Sequence, residues 1–231
     1  MPLDVPRIRA VLFDLDGTLA DTDDEYIERV TRWLRPFKWL FPQGNPRPFL
    51  RWGLTTAISP LNTLMMVPDL LHFDEELVRV SNWIADRLDQ QAKGHFVLMA
   101  GVRPLLEALS ARYPLGIITA RPERGTHLFL EQFDLFRYFH VVAHAQSAVH
   151  TKPFPDPLYW CAERLGVAPE HCLMVGDTAV DILCGRSAGA QTVGVLCGFG
   201  SRAELERHGA DLILAHTVEL KGALDGGSIE N

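Results

Sequence analysis

Asp14 and Asp16 flank Leu15 at the end of an apolar run, and Gly17 and Thr18 follow at once. On an extended chain, side chains two apart start out on one side. Two carboxylates placed so closely raise each other's proton affinity, a conflict that a divalent, oxygen-seeking metal resolves. Asp14 can then present one oxygen to the metal and attack phosphorus with the other. Asp16 can protonate a leaving alkoxide and later deprotonate water. Gly17 permits a sharp reversal, and Thr18 can hydrogen-bond locally or help orient a phosphate. Read alone, the same segment is equally an acidic turn that closes a strand.

Three further segments carry compatible groups. Thr119 ends an Ile-Ile run, where its hydroxyl can donate to a phosphoryl oxygen beside backbone N–H groups such as that of Ala120. Arg121 can contact substrate or cap the strand's carboxyl side. Lys152 lies among prolines that stiffen its loop, and its ammonium can neutralise both Asp14 and a transferred phosphoryl group. An exposed lysine in a proline-rich turn is the plainer reading. Asp177 follows Leu-Met-Val-Gly, and Asp181 lies one helical turn beyond it. Asp177 is placed to bind the metal directly, and Asp181 to bind through water or to orient Lys152. Taken separately, Asp177 is an N-cap and Asp181 a solvated helix residue. Taken together, the four segments supply the carboxylates, hydroxyl and ammonium of a metal-assisted phosphoryl transfer.

These groups meet only if strands bring them to one edge. Residues 8–13, 115–119, 139–143, 171–175, 192–196 and 211–214 read as strands. Residues 103–112, 123–132, 156–165 and 178–188 read as helices between them. This alternation predicts an α/β fold with a mostly parallel, Rossmann-like sheet covered on both faces. Such sheets place their chemistry beyond the carboxyl ends of the strands, where Asp14, Thr119 and Asp177 fall. Residues 21–97 differ in character, with helical patterns at 26–34, 52–66 and 74–90 around a proline-rich loop at 41–48. They read as a helical insertion that holds Trp33, Trp39, Trp52 and Trp83, four of the five tryptophans. These rings line a substrate pocket or pack the insertion's own core, the commoner use. Arg32, Arg35, Lys38, Arg47 and Arg51 could recognise a carboxylate or second phosphate, or simply face solvent.

The 231 residues, 47% of them hydrophobic, are enough for a substantial core. A net charge of -7 and no basic tract argue against nucleic acid as a partner. Cys161, Cys172, Cys184 and Cys197 have no metal-ligand spacing and read as reduced thiols. No apolar run is long enough for a signal peptide or membrane span, so no membrane partner is expected and the cytoplasm is the default.

The combined motifs, Asp14 to Leu19, Thr119, Lys152-Pro and Gly176 to Asp181, resemble the haloacid dehalogenase superfamily, especially its phosphoglycolate-phosphatase-like hydrolases. The resemblance implies a core formed by residues 1–20 and 98–231 and a helical cap at 21–97. It implies Asp14 as nucleophile and metal ligand, Asp16 as general acid/base and, through its main-chain carbonyl, a metal ligand. Thr119, with Gly17, Thr18, Ala120 and Arg121, would bind phosphate or substrate. Lys152 would stabilise charge, Asp177 would bind Mg2+, and Asp181 would support that site. True dehalogenases of the superfamily usually lack the second aspartate of the first motif, so Asp16 argues against carbon–halogen cleavage. The expected activity is Mg2+-dependent hydrolysis of a small phosphorylated metabolite by a monomer or homodimer. A sugar-phosphate mutase and a noncatalytic interaction protein are the alternatives.

Overall fold

A computed structural model describes residues 3–21 and 96–226. The expected helical insertion lies almost wholly outside these residues. Six strands form one sheet: β1 (Ala10–Phe13), β2 (Leu115–Ile118), β3 (Phe139–Ala143), β4 (Cys172–Gly176), β5 (Gln191–Val195) and β6 (Leu212–Leu214). Their spatial order is β3-β2-β1-β4-β5-β6, and every neighbouring pair is parallel. Between them run α1 (Val102–Ser110), α2 (Glu123–Gln132), α3 (Asp156–Leu165), α4 (Ala179–Ser187) and α5 (Arg202–Arg207), with α6 (Leu220–Leu224) after β6. The α/β, Rossmann-like expectation is met.

The strands are short continuous apolar runs because helices cover both faces. In β1 the pleat sends Val11 and Phe13 into one core with Leu105, Leu109 and Phe129. Ala10 and Leu12 enter the other, with Leu158, Cys161 and Cys184. Phe13 and Leu12 are fully buried, and burial of each such side chain contributes about 1.5–3 kcal/mol. That double burial fixes β1 at the centre of the sheet.

The register then sets the chemistry. Phe13 pairs with Ile117 of β2 and Val175 of β4, so three adjacent strands end at nearly the same height. The residues that follow these strands are Asp14, Thr119 and Asp177. Strand order also reverses direction between β1 and β4, the switch point where open α/β sheets leave a crevice.

Boundaries differ in small ways from those read in the sequence. β1 begins at Ala10, because Val5–Arg7 forms a 3-10 turn first. The helix expected to run to Arg112 ends at Ser110. The predicted strands beginning at His171, Thr192 and Asp211 start at Cys172, Gln191 and Leu212. No helix among the described residues is long and apolar enough to cross a membrane.

Candidate active site

Asp14 leaves β1 with its amide still donating to the Val175 carbonyl at 2.8 Å, which fixes the residue in the sheet. Its Oδ1 accepts from Lys152 Nζ at 2.5 Å. The same ammonium donates to Asp181 Oδ1 at 2.6 Å, so one cation bridges two carboxylates. Lys152 is held there by its loop: Phe154 N donates to the Thr151 carbonyl, and His150 Nδ1 lies 2.9 Å from Asp156 Oδ1 at the start of α3.

Asp177 is buried beyond β4, and its Oδ2 accepts from Phe199 N at 2.7 Å. Asp181 is fully buried in the first turn of α4. Its Oδ2 accepts from both Thr178 N at 3.0 Å and Thr178 Oγ1 at 2.7 Å, closing the helix start. The N-cap is therefore Thr178, not Asp177, and Asp181 is not a solvated helix residue. Both Asp181 oxygens are committed to protein donors. Asp14 Oδ2 and Asp177 Oδ1 have no hydrogen-bond partner among the described residues.

Asp14, Asp177 and Asp181 each bring an oxygen within 4.8 Å of the others. One ammonium faces three carboxylates, which leaves the buried group two negative charges in excess when all are ionised. Burial pushes Asp14 up to about 7, with Lys152 opposing the rise and Asp181 and Asp16 adding to it. Asp177 is raised well above the usual carboxylate range, by burial first and then by Asp181 and Asp14. Burial disfavours the Lys152 ammonium, but Asp14 and Asp181 outweigh it and hold its pKa above the ordinary lysine value. A divalent cation fits this donor set, in charge and in its all-oxygen chemistry.

The two aspartates of the first loop have different partners. β1 stops at Phe13, and the Leu15 carbonyl accepts from Leu19 N and Ala20 N, which turns the chain back. Asp14 is held by Lys152, whereas Asp16 is held by Arg121. Arg121 Nε donates to Asp16 Oδ2 at 3.1 Å, and the second arm of its guanidinium to Oδ1. Gly17 makes the turn with φ +77°, and a Cβ there would lie 2.4 Å from Asp177 Oδ2. Thr119 N donates to the Ala143 carbonyl, and Thr119 Oγ1 accepts from Arg121 N at 3.1 Å. Its hydroxyl proton is thereby left for another acceptor. Thr18 is fully buried, and its Oγ1 has no partner among the described residues.

Several contributors were not read from the sequence. The Cys197–Gly200 loop after β5 wraps Asp177 so closely that a Cβ on Gly198 would sit 2.1 Å from Asp177 Oδ2. The glycine pair at a strand end was the available signal. Thr217 Oγ1 donates to the Thr18 carbonyl at 2.7 Å, tying the first loop to the chain after β6. No local pattern announces that contact. All four cysteines are free, as expected, and burial pushes Cys172 and Cys184 up to about 12, which keeps them unreactive thiols.

Comparison with known proteins gives the family and the fold. The chain is 32% identical to the phosphoglycolate phosphatase of Escherichia coli strain K12, over 97% of this chain and 95% of that protein. It is 30% identical to the pyrophosphatase PpaX of Bacillus cereus, over 93% and 95%. The crystal structure of a predicted phosphoglycolate phosphatase from Haemophilus somnus shares the fold, with a TM-score of 0.66, 22% identity, and coverage of 93% and 97%. Residues 11–195 match the haloacid dehalogenase-like hydrolases as a family, and the chain belongs to that family of enzymes.

Proposed function

We propose that this enzyme is a Mg2+-dependent phosphatase that hydrolyses a small-molecule phosphate monoester through an aspartyl-phosphate intermediate. The observation that carries the reading is the buried Lys152 ammonium bridging Asp14 and Asp181 beside Asp177. Among the described residues Asp14 Oδ2 and Asp177 Oδ1 have no donor, which suits them to a cation. Asp14, Asp177 and the main-chain carbonyl of Asp16 would hold Mg2+, with Asp181 in support. The bound cation would offset the charge of the phosphoryl oxygens and leave Asp14 ionised.

A carboxylate oxygen of Asp14 attacks phosphorus as the bond to the leaving alkoxide breaks, and Asp16 gives that alkoxide a proton. Lys152 and the Thr119 hydroxyl offset charge on the phosphoryl oxygens, aided by the N–H group of Ala120; contrary to expectation, the Gly17 and Thr18 N–H groups donate instead to the Ala20 and Leu15 carbonyls. Asp16 then takes a proton from water as its oxygen attacks the aspartyl phosphate, and Asp14 and inorganic phosphate are released. The relatives named for phosphoglycolate make 2-phosphoglycolate the first ester to try. Four free thiols suit a cytoplasmic enzyme.

The test is phosphate release across a panel of small monoesters, with Mg2+ and with EDTA. Release that requires Mg2+ supports the reading. Isomerisation of a sugar phosphate without net release would instead identify a mutase, and inactivity of folded, metal-loaded protein on every ester would sink both.

Metal binding should also depend on pH in a defined sense. Asp14, raised from 3.8 to about 7 by burial, holds a proton in the folded metal-free protein at a pH where the unfolded chain has lost it. The stability from that proton is fully present below the unfolded value and lost as pH climbs through about 7. Mg2+ displaces the proton, at about 1.4 kcal/mol per pH unit for each proton released. The rise in Tm caused by Mg2+ is therefore expected to be small near pH 5.5 and large near pH 8, as thermal melts will read. An equal rise at both would show that the cation does not compete with protons at this cluster.

A further inference from the structure

Asp16 is gripped at both oxygens by Arg121, and the grip is built from several fixed points. The Arg121 backbone is pinned on each side: its N–H donates to Thr119 Oγ1 at 3.1 Å, and its carbonyl accepts from Ala145 N at 3.1 Å. Its guanidinium lies 4.7 Å from the centre of the Phe96 ring. Phe96 is itself immobilised, since its ring meets Phe129 edge-on at 5.8 Å and its carbonyl accepts from Gln132 Nε2 at 3.0 Å. The side chains of Arg121 and Asp16 are 12% and 29% exposed, so water competes with only part of the pair. A planar fork pressed on an aromatic face has little rotational freedom, and it fixes the plane of the carboxylate it holds.

We infer that Arg121 is the positioning residue of the general acid/base: braced on Phe96, its two-point grip sets where the Asp16 carboxyl lies relative to the leaving group. This rests on the phosphatase reading above and deepens it, because it assigns Arg121 to Asp16 rather than to substrate. The balance of the reaction is unchanged, since Arg121 neither gains nor loses a proton or a bond. Its influence falls on both proton transfers, to the alkoxide and from the attacking water. An alkyl phosphate, whose alkoxide must be protonated as it departs, depends on that placement. The p-nitrophenyl ester does not in its first step, because p-nitrophenolate leaves as a stable anion, although its aspartyl phosphate still needs Asp16 to take the proton from water.

The experiment compares kcat and KM of the parent, Arg121→Gln, Arg121→Lys and Asp16→Asn on 2-phosphoglycolate and p-nitrophenyl phosphate. If 2-phosphoglycolate is not turned over, the alkyl phosphate hydrolysed fastest replaces it. Arg121→Gln is expected to lower kcat on the alkyl ester by about tenfold to a hundredfold. Its KM on that ester should stay within about threefold, and so should the rate of the first-turnover burst of p-nitrophenolate, which precedes the water step. In the Asp16→Asn background the same change should have no further effect, as for residues acting as one unit. Arg121→Lys restores the charge but not the fork, and should recover only part of the loss. A raised KM with unchanged kcat would overturn the inference in favour of substrate binding. A loss in that burst as large as the loss of kcat on the alkyl ester, or full recovery with lysine, would overturn it in favour of a general structural or electrostatic role.

A second measurement needs no turnover. Unfolding by denaturant of the two single variants and the double variant gives the coupling between Arg121 and Asp16. It is expected to be about fivefold or more in the unfolding equilibrium constant, and additive effects would overturn the grip itself. If the parent hydrolyses neither ester, the phosphatase reading fails on its own account, while this coupling still decides whether Arg121 positions Asp16.

Discussion

Exchanging Asp14 for asparagine is expected to abolish phosphate release, by about four to six orders of magnitude, the scale seen when a nucleophile is removed. The amide oxygen at that position cannot form the aspartyl phosphate, and the cluster loses one of its three carboxylates. The fold should survive, for a reason visible in the site. Asp14 is a buried carboxyl whose pKa sits near 7 because burial disfavours its charge even with Lys152 at 2.5 Å. An asparagine of the same shape removes that unfavourable charge, and Lys152 keeps Asp181 as its partner. Metal-free Tm near pH 8 should therefore equal or exceed that of the parent. Turnover assays and thermal melts on the same preparations check both halves. Parent-level turnover would eliminate the covalent route, and a large fall in Tm would show that the carboxylate holds the loop together.

Much of the core was legible because its punctuation is strong. α2, β3 and α3 fall where the sequence placed them. Pro122 opens α2, Pro155 precedes α3, and Gly166 with φ +65° closes it. α5 and α6 were missed because six and five residues are too few to show a helical period. α5 nevertheless carries a readable start, since Ser201 and Glu204 form an S-x-x-E pattern and Glu204 N donates to Ser201 Oγ at 3.3 Å.

The site divides in the same way. Asp14, Thr119 and Asp177 could be placed because a parallel sheet sets its chemistry beyond the carboxyl ends of its strands. The bridging position of Lys152 follows from charge, since buried carboxylates of that number need a counter-ion. The Asp16–Arg121 pair could not be read. It depends on a turn that breaks the strand alternation, on a partner 105 residues away, and on Phe96 serving as its platform.

Replacing Lys152 by methionine tests whether that counter-charge is what the cluster requires. Methionine is of similar length and apolar, so it fills the space without strain while deleting the charge. The lysine side chain is only 5% exposed, and its partners Asp14 and Asp181 are 7% and 1% exposed. Removing one member of a buried ion pair typically costs about 3–5 kcal/mol, because the remaining charge stays buried. Protonation offers an escape whose direction can be worked out. Lys152 lowers the Asp14 pKa, so its loss moves that pKa above the present value of about 7. A raised folded pKa confers stability at low pH that is lost as pH rises. Near pH 6 Asp14 is then already neutral and the variant should lose little. Near pH 8.5 it must either carry an unpaired charge or hold its proton against the solvent, and the gap in Tm from the parent should widen. Mg2+ should narrow that gap by supplying the missing positive charge, yet it cannot replace the ammonium as a donor to the phosphoryl oxygens. Turnover should accordingly stay depressed by about a hundredfold or more even at saturating Mg2+. A gap that closes as pH rises, or turnover restored by Mg2+ alone, would mean that Lys152 is neither the counter-ion of the buried carboxylates nor a participant in the transfer.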